Sequence, residues 1–162
     1  FIVVLHATRI PPHIGIIAGN SYHSLSIKGQ ERNIPLSLVL KNIRVRRIPS
    51  LFIRIIDHQR LTGDEISEQF LSDLSSFEKV SAQGATCLSP IKPFFERVYN
   101  VPATDIRYIF DLLPKLEQAE LIMEISSLFI EEPVFTLPVY DMDEINHEIL
   151  KAESEAIKIK KQ

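Results

Sequence analysis

The chain alternates between short β-branched runs and longer stretches whose apolar residues recur at helical spacing. "FIVVLHAT" (1–8) has the composition of a buried strand, and "TRIPP" interrupts it with a proline pair that cannot continue a ladder. From His13 the sequence reads "HIGII", "AGNS", "YHSLSI", two strand-like arms about a Gly19-Asn20 pair that tolerates positive φ, with Gly29 closing the second arm. In "IPLSLVLKNIRVRR" (34–47) the apolar Leu36, Val39, Leu40 and Ile43 predict a helix with a basic end. "SLFIRII" (50–56) is a further strand, so residues 1–56 read as strand, hairpin, helix, strand.

The second half reads as mostly helical. "TGDEISEQFLSDLSSF" (62–77) opens with cap residues and early acids before Ile66, Phe70, Leu71 and Leu74, an amphipathic helix. "KVSAQGATC" is a loop that delivers Cys87, and "LSPIKPFFERVYNV" becomes helical once past its prolines. Residues 102–130 carry at least one more helix, since Leu116, Ala119, Ile122, Met123 and Ile125 share one helical face. "EEPVFTLPVYD" is extended. The tail "DEINHEILKAESEAIKIKK" is amphipathic at Ile145, Ile149, Ala152 and Ala156, with acids first and lysines last, as the helix dipole favours. The expected organisation is a core over 1–101, a helical extension over 102–140 and a tail helix over 141–162 that packs on the domain, on a partner or on a second copy.

Composition narrows the classes. At 162 residues, 45% apolar and 24% charged, the chain suits one globular unit, and a net charge of −3 gives no nucleic-acid footprint. "RVRR" (44–47) is the one basic cluster and reads as a solvated helix end. No apolar run approaches the ~20 residues of a membrane span. A single cysteine excludes an intrachain disulfide and a thiolate zinc cluster, and leans slightly to a cytoplasmic, reducing compartment. The start at Phe1 leaves room for a removed leader, so localisation stays open. A metal site from His6, His13 and His23 lacks a helical i,i+4 pair and a clear carboxylate partner, and no metal or cofactor is expected.

The chemistry worth testing joins Cys87 to the hairpin histidines. A thiol just ahead of a helix can feel the unpaired N–H groups of the first turn, and those groups could also hold an oxyanion. What it needs is a base aimed by a rigid strand. His13 opens the first arm and His23 lies in the second, and whether they share a face depends on the loop. A three-residue loop, Gly19-Asn20-Ser21, points both the same way, whereas a two-residue loop puts them on opposite faces. Gly15 leaves the face beside His13 bare for the approach of another group.

His13-Ile14-Gly15-Ile16, Gly19-Asn20, His23, "SLFIRI" and a later Cys87 before a helix resemble the core of the circularly permuted papain-like hydrolases, over residues 10–101. That group includes members similar to bacterial cell-wall amidases and peptidases, and acyltransferases of the lecithin–retinol type. The resemblance implies an α+β papain-like fold, a small antiparallel sheet packed against the cysteine-bearing helix, with extra C-terminal helices. It implies Cys87 as nucleophile, His13 as general base and His23 as the third group, although a gapless match puts Leu25 in that third position. The activity so implied is a thiol hydrolase or acyltransferase acting on an amide or ester of a small-molecule, peptide or acyl substrate. The alternatives are an inactive member of the fold serving as an interaction module, and an assembly protein using the tail.

Overall fold

The computed structural model describes residues 1–132 and 134–159. Its strands are β1 (Ile2–Leu5), β2 (His13–Ala18), β3 (Ser21–Ser26), β4 (Gly29–Pro35), β5 (Ser50–Ile55) and β6 (Ile122–Leu128). Its helices are α1 (Leu36–Arg46), α2 (Gly63–Leu74), α3 (Ile91–Tyr99), α4 (Ile109–Gln118) and α5 (Met142–Ile159). The strands form one antiparallel sheet in the order β4-β3-β2-β1-β5-β6. The fold class is therefore α+β.

Side-chain alternation sends the two faces of this sheet into separate cores. Ile14, Ile16 and Ala18 of β2 join Phe70, Leu74, Phe94, Phe95, Leu112 and Leu116 from α2, α3 and α4 in the larger one. Val3, Ile17 and Tyr22 point the other way and pack on Val39, Ile43 and Ile48 at and beyond α1. Phe70 and Phe94 are almost fully buried and meet edge to face, ring centroids 5.4 Å apart at 90°.

The helix ends follow from local chemistry. Thr62 and Glu65 form a capping box on α2: Glu65 N–H donates to Thr62 Oγ1 (3.3 Å) and Thr62 N–H to Glu65 Oε2 (2.8 Å). Asp141 and Glu144 do the same for α5, both at 2.9 Å. α1 stops where Arg47 enters the left-handed region, and the Ile48 N–H closes back on Ile43 O at 3.0 Å. The "RVRR" end is exposed, as expected, with the Arg47 guanidinium lying 5.0 Å from the Phe129 ring centroid.

Two elements differ from the sequence reading. The chain does not leave the sheet at Gly29: it turns through Ile27-Lys28 and returns as β4, so the following helix starts at Leu36 rather than 34. "GQERNIP" carries almost no apolar alternation because β4 is an edge strand that is half exposed. In the second case, the helical face drawn through Leu116, Ala119, Ile122, Met123 and Ile125 is broken in two. α4 ends at Gln118, Glu120 takes φ +56°, and Ile122–Leu128 adds to the opposite edge of the sheet against β5. Met123 and Ile125 are left more than half exposed there. α5 forms where the tail pattern placed it and buries Ile145 and Ile149 against the rest of the chain; the last three residues of the predicted tail lie outside the described residues. No helix among the described residues is long and apolar enough to cross a membrane.

Candidate active site

The β2–β3 loop has two residues. Ala18 pairs with Ser21, Ile17 with Tyr22, Ile16 with His23 and Gly15 with Ser24. His13 and Gly15 therefore share one face with Tyr22 and Ser24, and His23 lies on the other. Gly15 is bare because the Tyr22 ring crosses it: a Cβ there would sit 2.4 Å from Cε2 and 2.6 Å from the hydroxyl oxygen. That hydroxyl is buried and has no hydrogen-bond partner among the described residues.

The group that joins His13 is Glu31 of β4. Nε2 of His13 lies 3.0 Å from Ser24 Oγ and 3.7 Å from Glu31 Oε2, and the Ser24 hydroxyl donates to the same carboxylate oxygen. Because Ser24 gives its proton to Glu31, its oxygen is left to accept from the imidazole, which fixes the proton on Nε2 and leaves Nδ1 for other contacts.

Cys87 arrives from the other direction. Residues 87–90 form a turn that runs into α3, and the sulfur comes to the start of β2, 4.0 Å from Pro12 O. Cys87 and His13 line the same cavity, of about 320 Å³. Burial alone would lower the proton affinity of the ring, but the Cys87 and Glu31 side chains beside it reverse this and raise the His13 pKa to about 9. Glu31 is held below the usual carboxylate range, first by the His13 ring it pairs with. The imidazole is therefore cationic at neutral pH and flanked by a carboxylate. The far walls of the cavity are largely apolar: Ile27, Val80, Leu88 and Tyr140, with Ile145 and Ile149 of α5.

His23 is not part of this cluster, contrary to the expectation that it is the third group. The two-residue turn sends it into the helical side of the sheet, fully buried beside Phe70 at a ring-centroid distance of 6.2 Å. Its Nδ1 accepts from Asn33 N–H (3.0 Å), so Nε2 carries the proton and donates to Ser67 Oγ on α2 (2.6 Å). Burial first, then the charge of Arg32, pushes its pKa down to about 4. The expected oxyanion donors also differ. Leu88 N–H turns back to Thr86 Oγ1 (3.3 Å) and Ser89 N–H to Thr86 O (3.0 Å), so both are committed within the turn.

No local pattern marks Glu31, because β4 carries almost no apolar alternation. The signal that could have found it is "SIKGQE", a two-residue turn with Gly29 at φ +122° just beyond it, which returns a strand beside the hairpin. Among the described residues no three His, Cys, Asp or Glu side chains are grouped to hold a metal ion. No family model, no curated protein and no solved structure matches this chain.

Proposed function

We propose that this chain is a thiol hydrolase or acyltransferase built on a permuted papain-like plan, acting on an amide or ester. The observation that carries the reading is the meeting of Cys87 and His13 at one cavity, with the far nitrogen of the ring engaged by Ser24 and Glu31. The thiolate of Cys87 attacks the substrate carbonyl, forming a C–S bond. As the C–N or C–O bond breaks, His13 gives its proton to the departing amine or alkoxide. Water or an amine, deprotonated by His13, then attacks the thioester, and the thiolate leaves with the imidazole protonated again. Glu31, partly through Ser24, orients the ring and stabilises its cationic form. The apolar cavity walls suit a substrate whose acyl or leaving group is apolar.

The test is the alkylation rate of Cys87 by iodoacetamide at pH 6 to 8, folded against denatured. Faster reaction in the folded protein, lost in His13→Ala, is the expected result. Equal rates, or a rate indifferent to His13→Ala, would overturn the reading. The commitment of the Leu88 and Ser89 amides to Thr86 favours a second reading, a binding module of the same fold that holds an apolar ligand without turning it over.

A further inference from the structure

We infer that His23 is a positioning residue for this site: its ring holds the β4 bulge that turns Glu31, rather than Arg32, toward Ser24 and His13. The inference deepens the function proposed above and rests on it for its catalytic meaning.

The register carries the argument. Tyr22 pairs with Ile34, so an unbroken antiparallel ladder would set Ser24 against Arg32. Instead the ladder shifts between Tyr22 and Ser24, and Ser24 pairs with Glu31. One extra β4 residue is taken up at the shift, where Asn33 has φ +52°. A bulge leaves a backbone group outside the ladder, and that group needs another hydrogen-bond partner to hold it in place. Here the Asn33 N–H is taken by His23 Nδ1 at 3.0 Å. The other ring nitrogen is anchored 2.6 Å from Ser67 Oγ on α2, so the histidine ties the bulge to the helical layer. Without that acceptor, the regular register would bring a guanidinium where the carboxylate now meets the imidazole. The two histidines are thus coupled through β4 although the sheet separates them.

The test reads the proton affinity of His13, a quantity that general loss of stability does not move. The groups around that ring are His6 at the end of β1, Cys87 ahead of α3, Glu31 on β4, and Arg107 and Glu148 across the cavity. In His23→Leu, the His13 titration followed by NMR should fall by about one unit or more, and Cys87 alkylation near neutral pH should slow with it. His23→Asn, whose side-chain oxygen can take the Asn33 N–H, should keep most of the wild-type value. In a Glu31→Gln background His23→Leu should add nothing further. If His23→Leu unfolds, Ser67→Ala frees the ring while leaving the strand intact and should lower the same titration by less. An unchanged His13 titration in His23→Leu, or in Ser67→Ala where that variant is needed, would overturn the inference, as would an equal fall in His23→Asn. A His13 shift without any change in alkylation would retain the positioning role and count against the thiol chemistry.

Discussion

His13 and His23 lie ten residues apart on one hairpin, and the protein treats them in opposite ways. His13 stands at the start of β2 beside a carboxylate and a thiol, and its pKa rises to about 9. His23 stands in the middle of β3 between Ser67, Asn33 and Phe70, and its pKa falls to about 4. Burial opposes charge at both positions. The difference is that only His13 is given acidic partners, whereas His23 is given one donor, one acceptor and an arginine's charge. An imidazole satisfied as a neutral group is a structural strut, and one held as a cation beside a thiol is equipped to move protons.

The comparison can be broken from either side. The largest effect should come from Phe70→Ala, which removes the aromatic packing beside His23 and should cost about 3–5 kcal/mol in urea unfolding. The same variant should let the His23 titration climb toward the ordinary value near 6.5 while His13 stays high. Next comes Glu31→Gln, which keeps the shape of the side chain but removes its charge. It should lower the His13 titration by about one unit or more, worth about 1.4 kcal/mol per unit, and leave His23 where it is.

The pH dependence of stability should reflect both rings, with opposite signs. His13 binds its proton more tightly in the folded state, so its contribution is full below about 6.5 and is lost as pH rises through about 9. His23 binds its proton less tightly in the folded state, so its contribution is full above about 6.5 and is lost as pH falls through about 4. Urea unfolding of wild type and of His13→Gln across pH 4 to 9.5 should show the alkaline loss only in wild type, with the acid loss in both. The smallest effect should come from Thr62→Ala, which removes the α2 cap at a cost of about 1 kcal/mol. It should move neither histidine, and a shift in either titration would mean that the helix end is coupled to the site.

Much of this protein follows from local pattern. The β-branched runs of β1 and β5, the Gly19-Asn20 turn, the α2 capping box and the α5 periodicity each state their structure within a few residues, because caps, turns and one-sided burial are short-range effects. Cys87 before α3 and His13 at the strand start were legible for the same reason. β4 and β6 were not, since an edge strand is stabilised by the neighbour it pairs with and needs little apolar alternation of its own. Tertiary structure alone decided the rest. The parity of one turn sent His23 away from His13, and one bulged residue chose Glu31 over Arg32 as the partner of the site. In a strand, a one-residue step exchanges the two faces, so composition and spacing can name the candidates while only the ladder register assigns them to a side.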